Sequence, residues 1–152
     1  MLRASWVRWW TGVGASGDGF EVMDKLIEAY DEPHRKYHTI QHLTECLCLF
    51  STHLHSAAEP SELEAAIWFH DAVYDVASND NEARSATWAG DTLSSAGVGD
   101  ERVERVKQLI LATRHVALPS GCDQQLLVDI DLAILGASRA RFDEYETQVR
   151  SE

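Results

Sequence analysis

The sequence predicts an all-helical protein, and three observations predict it. Apolar residues recur at steps of three and four along nearly the whole chain, the period of a helix with one buried face. Stretches that alternate apolar and polar residues, the mark of a half-buried strand, are absent. Breakers at Pro33, Gly97-Val98-Gly99, Pro119-Ser120-Gly121 and Gly136 cut the chain into helix-length pieces. At 152 residues, one domain spanning 1–152 with a sizeable core is expected.

Each element has its own signal. Trp6, Trp9 and Trp10 sit among Arg3 and Arg8, so the start has no continuous apolar stretch and does not read as a secretory signal. These Trp residues read as core or interface packing, which leaves a homo-oligomer open. Gly12 to Gly19 is glycine-rich, yet no strand precedes it and no Lys-Ser/Thr follows, so it reads as a flexible turn rather than a phosphate loop. Phe20, Met23, Leu26, Ile27 and Tyr30 share a helical face, and Pro33 stops that helix. Ile40, Leu43, Leu47, Phe50 and Leu54 form the next face, with His53 and His55 facing solvent at its end. Ser61-x-x-Glu64 reads as a capping box opening a helix that carries His70 and Asp71. Asn79-x-x-Glu82 is a looser start signal for a helix to about Ser95, and Asp100 reads as the cap of the next. Val103, Val106, Leu109, Ile110 and Thr113 line that helix's face. A helix from about Asp123 to Leu135 ends at Gly136. The segment from Arg139 to Glu152 reads as a last helix without a closing cap or breaker, which leaves truncation at the C-terminus open.

Composition narrows the partners. Thirteen Lys and Arg against 25 Asp and Glu give a net charge of −12. That argues against a nucleic acid polymer, which is bound through cations. A small phosphorylated substrate stays open, because a bound cation reverses the local field. No apolar run nears the roughly 18 residues of a membrane span, so no membrane partner is expected. Three Cys, an odd number, fit a reducing compartment, and the cytoplasm is the expectation. Cys46 and Cys48, two apart on a helix, point to roughly opposite sides and do not read as a metal pair.

The chemistry concentrates in a few residues. His70 and Asp71 stand side by side in the apolar run from Ala65 to Tyr74. A buried ionised Asp costs several kcal/mol unless it is paired or holds a cation. His38 and His42, four apart, share a face if both are helical. Two packed helices could aim His42, His70 and Asp71 at one ion, and Asp131 on a later helix would close the set. Two imidazoles and two carboxylates suit a divalent ion such as Mn, Fe, Co, Ni or Zn, with Mg also admitted. Taken singly, each residue could be an ordinary core histidine or ion-pair partner; it is their ordered set that points to a metal.

The stretch from Pro33 to His42, the run from Ala65 to Tyr74, and Asp129 to Gly136 together resemble the predicted metal-dependent phosphohydrolases of the HD-domain superfamily. Asn81-Glu82-Ala83-Arg84-Ser85 and Ala112-Thr113-Arg114-His115 resemble the same group. The resemblance covers about Tyr30 to the end, and members of that group continue through further helices. It implies an all-α HD-type bundle, with His42, His70, Asp71 and Asp131 as ligands to one or two divalent ions. It also implies hydrolysis of a small phosphate ester, a nucleotide among the candidates. Tyr37-His38-x-x-x-His42 is similar to a stretch of cyclic-nucleotide phosphodiesterases in which the first His is a general acid and the second a ligand. On that footing Asp71 would orient water, and His38 or else His115 would protonate the leaving oxygen. Arg35, Lys36 and Arg114 are candidates for holding substrate phosphate. The alternative is a metal- or nucleotide-binding regulatory module of HD type without turnover.

Overall fold

The computed structural model describes residues 1–152, and its regular structure is helical throughout. The elements are α1 (Leu2–Gly12), α2 (Phe20–Tyr30), α3 (Ile40–His53), α4 (Pro60–Phe69), α5 (Asn81–Ser95), α6 (Asp100–Ala112), α7 (Cys122–Asp131) and α8 (Arg139–Val149). Short 3-10 turns follow α3 at Leu54–Ser56 and α7 at Leu132–Gly136. The all-α class is therefore as expected. No helix is long and apolar enough to cross a membrane.

The core is built around α4. Glu62 to Phe69 are all buried, because α1, α3, α5, α6 and α7 pack around this one helix. A helix enclosed on every side needs apolar residues on every side, which is why Ala65 to Phe69 carries no polar stripe. Two carboxylates nevertheless lie in it, and each is paired. Glu64 accepts from Ser5 Oγ at 2.6 Å and from Arg8 Nε at 2.8 Å. Glu62 accepts from Arg105 Nε and Nη2, both at 2.7 Å.

Those pairs overturn an expected cap. Glu64 is committed to Arg8, and α4 opens without a capping box. Pro60 begins the helix, where its missing N–H costs nothing. Asp123 on α7 instead accepts from the amides of Ala58 and Glu59, at 2.7 and 2.9 Å. Asp100 likewise lies in the first turn of α6, with Gly99 at the cap position. The helix expected to Leu135 stays α-helical only to Asp131, then tightens into the 3-10 turn that Gly136 ends.

The Trp residues of α1 are core. Trp6 meets Trp68 of α4 edge-on at 5.1 Å between ring centres, and Trp68 Nε1 donates to Ser5 Oγ at 2.9 Å. The glycine-rich segment is a turn, as expected, but a seated one. Gly19 has φ +63° and lies so close to the Trp10 ring that a Cβ would come within 2.7 Å of it. At the end of α8, by contrast, little is packed: none of its residues is buried. It is held by Arg141, which donates to both oxygens of Glu45 at 2.8 and 2.9 Å, and by Tyr145 edge-on to Tyr37.

Candidate metal centre

The ends of α3, α4 and α7 meet at one buried point. Thr39 Oγ1 accepts from the Gln41 amide at 3.2 Å and so starts α3 at Ile40. His42 therefore lies in the first turn of α3, while His38 sits in the loop before it. The expectation of one helix carrying both is corrected, though their rings remain 5.8 Å apart. α4 stops at Phe69, so His70 follows its last residue and Asp71 lies in the turn beyond, not on the helix. That turn folds the Asp71 carboxylate back over His70.

The loops carrying these residues are pinned from behind. Arg35 is buried, and its Nη1 donates to the carbonyls of His38 (3.2 Å) and Asp71 (2.6 Å). Its Nη2 donates to Ala72 O at 3.0 Å and its Nε to Glu32 at 3.0 Å. Arg35 is thus an internal strut, and the expectation that it holds substrate phosphate is corrected: it is buried, and four of its five N–H donors are already engaged. Ser85 Oγ accepts from the Val73 amide at 3.0 Å, and Asn81 bonds both backbone groups of Asp75. The Asn81 to Ser85 motif therefore secures the turn after Asp71.

The donor atoms converge. His42 Nε2 lies 3.2 Å from His70 Nε2, 3.4 Å from Asp71 Oδ2 and 3.2 Å from Asp131 Oδ1. His70 Nε2 lies 3.1 Å from Asp71 Oδ2 and 3.5 Å from Asp131 Oδ1. Neighbouring ligand atoms around an ion with bonds near 2.1 Å stand about 3.0–3.4 Å apart, so these separations match the edges of a coordination shell. His70 Nδ1 donates to Ile67 O at 2.8 Å, which orients the ring with Nε2 facing the centre. Asp71 Oδ2 is buried without a hydrogen-bond donor of its own, as a ligand oxygen would be. The residues fit a divalent ion.

Charge points the same way. Burial pushes the His42 imidazole down, yet Cys46, Asp131 and Asp71 outweigh it and hold it well above 6.5. Burial likewise pushes His70 down, yet Asp71, Tyr30 and Asp131 outweigh it and hold it well above 6.5. Burial pushes Asp71 and Asp131 up, and the facing imidazoles hold both well below 3.8. The two carboxylates draw positive charge into a buried point.

Sequence reasoning missed Cys46. His42, Cys46, His70 and Asp131 offer ligand atoms within 4.8 Å of one another and are positioned to hold a metal ion. Judging Cys46 by its spacing to Cys48 hid it; the informative spacing is to His42, one helical turn before. Its Sγ is 3.8 Å from both ring nitrogens of His42, so it lies against the ring rather than in line with Nε2.

The other candidate residues fall around this point. His115 follows α6 with φ +54°, and its Nε2 donates to Asp131 Oδ2 at 3.1 Å. Lys36 is exposed and its Nζ donates to Pro33 O at 2.7 Å. Arg114 lies beside Glu82, with Nε 4.0 Å from the carboxylate. Also missed was Glu152, whose buried carboxylate accepts from His38 Nδ1 at 2.8 Å. Burial pushes Glu152 up, but His38 and the surrounding amides outweigh it and bring its pKa down to about 2. No local pattern marks Glu152, because its role depends on where the chain returns after α8.

Fold and site together define an all-helical protein with a buried candidate metal centre of imidazole, carboxylate and thiol groups. No protein-family model matches the chain, and neither the curated proteins nor the solved structures compared with it gave a match.

Proposed function

We propose that the protein is an HD-type metal-dependent phosphohydrolase acting on a small phosphate ester. One observation carries this reading: His42, His70, Asp71 and Asp131, from three separate segments, converge at spacings suited to a single divalent ion. These four residues would hold the ion. An ion held there would supply Lewis-acid chemistry, bringing the pKa of a water toward about 7 and polarising a phosphoryl oxygen. The chain's own residues do the rest. Asp71 orients the attacking water with its carboxylate. His38, whose Nδ1 is held by Glu152 before substrate enters, gives the leaving oxygen a proton from Nε2. His115 keeps the Asp131 carboxylate turned toward the centre.

The test is hydrolysis of a panel of phosphate esters by protein stripped of metal and reloaded with Mn²⁺, Co²⁺, Ni²⁺ or Zn²⁺. Turnover is expected only with metal, and Asp71→Ala is expected to abolish it. His38→Ala should still bind metal while losing on the order of 10²–10⁴-fold in rate on an alkyl phosphate. An activated aryl phosphate, whose leaving group needs little protonation, should suffer much less. Equal losses on both remove His38 from the acid role. Metal uptake without hydrolysis of any ester selects the regulatory module instead, and no uptake at all refutes both.

A further inference from the structure

The loop that was expected to hold phosphate through Arg35 and Lys36 offers something else. The amides of Lys36, Tyr37 and His38 all point at one oxygen, Glu152 Oε1, at 2.7, 2.7 and 2.9 Å. His38 Nδ1 donates to the other oxygen at 2.8 Å, and the Tyr74 hydroxyl donates to it at 2.9 Å. Five donors therefore surround one carboxylate that is 2% exposed. Three consecutive amides turned inward form a concave anion-binding nest. This one abuts the metal centre: the Tyr37 and His38 rings lie 4.8 and 5.8 Å from the His42 ring.

The fit between nest and occupant is imperfect. Three N–H groups crowd Oε1, although a carboxylate oxygen carries two lone pairs. A phosphoryl group presents three oxygens and spreads the same donors over them. The occupant arrives just past α8, an element with no buried residue of its own. In a chain of net charge −12, amides bind an anion without calling on scarce cations.

We propose that the Lys36–His38 amides, His38 Nδ1 and the Tyr74 hydroxyl form an oxyanion subsite for a phosphoryl group, and that Glu152 is a tethered carboxylate closing it until a phosphate displaces it. As the place where substrate phosphate lies, this subsite rests on the phosphohydrolase reading. As an anion site it stands apart from metal and turnover.

The test uses inorganic phosphate with the full chain in chelator, so that no metal takes part. Amide NMR signals of residues 36–38 are followed in the wild type, E152A and E152Q at ionic strength matched with chloride. Saturable shifts at these amides are expected in both variants, with a midpoint about tenfold or more lower than in the wild type, because a tethered competitor acts at millimolar or higher effective concentration. If E152A does not fold, E152Q, which keeps the acceptor oxygen without the charge, provides the same comparison. No saturable shift in a folded variant, or equal midpoints in variant and wild type, overturns the proposal and leaves Glu152 a structural clasp. Either result leaves the metal reading untouched, and failure of metal-dependent hydrolysis leaves phosphate binding at these amides standing.

Discussion

At the scale of single residues, the clearest dependence is on Arg35. It joins the loop before α3 to the turn after α4, and three backbone carbonyls have no other cation to satisfy them. Arg35→Ala is expected to destabilise the protein by about 2–4 kcal/mol, through buried carbonyls left without donors. Arg35→Lys should recover only part of this, since one ammonium cannot span the same fork. Urea denaturation of the three proteins checks the order. Asp71 gives a different expectation, because its carboxylate faces the His42 and His70 imidazoles across the candidate centre. Asp71→Asn should lower divalent-metal affinity by about 10–100-fold or more, as read by competition with a chromophoric chelator.

At the scale of elements, the two carboxylates of α4 and the Glu152 contact make separate claims. Removing Arg8 strands Glu64, which is 1% exposed, beside the Trp core. Arg8→Ala should therefore cost about 3 kcal/mol or more, and Arg8→Met with Glu64→Gln together should cost less than Arg8→Ala alone; thermal melts of the set decide it. Glu152 ties α8 to the loop before α3, and its pKa falls from 4.5 to about 2 on folding. A lowered carboxylate pKa stabilises the folded state above the unfolded value and loses that contribution as pH drops through the folded one. The contact should thus be at full strength above pH 4.5 and fade between pH 4.5 and about 2. Glu152→Gln should flatten the acid limb of stability across that window, as denaturation at stepped pH would record.

Which elements were legible follows from where their information lies. α2, α3 and α6 announce themselves by apolar spacing, because each buries one stripe and wets the other. His42, His70, Asp71 and Asp131 were legible as a set, since burying polar groups in apolar runs demands an explanation from the sequence itself. The Ser61-x-x-Glu64 box was misread because a cap is local, and Glu64 is claimed by an arginine 56 residues away. Arg35, Cys46 and Glu152 share that reason: each takes its role from a partner or neighbour that only the folded chain brings near.

At the scale of the whole molecule, the packing of five helices around α4 leaves that helix no side of its own to offer to water. Anything it presents must emerge at an end, and the candidate centre lies just past its last residue. Such an arrangement has a consequence for how sequence change is absorbed. Glu62 to Phe69 should be the most intolerant window in a saturation scan scored by abundance, with even conservative enlargements such as Ala65→Val or Ala66→Leu rejected, because overpacking a full core costs about 1–3 kcal/mol. The exposed face of α8 should accept nearly any residue. In the same scan His70, Asp71 and Asp131 should tolerate replacement far better by abundance than by metal retention. A protein built this way can drift widely at its rim, while the helix at its centre stays close to its present sequence.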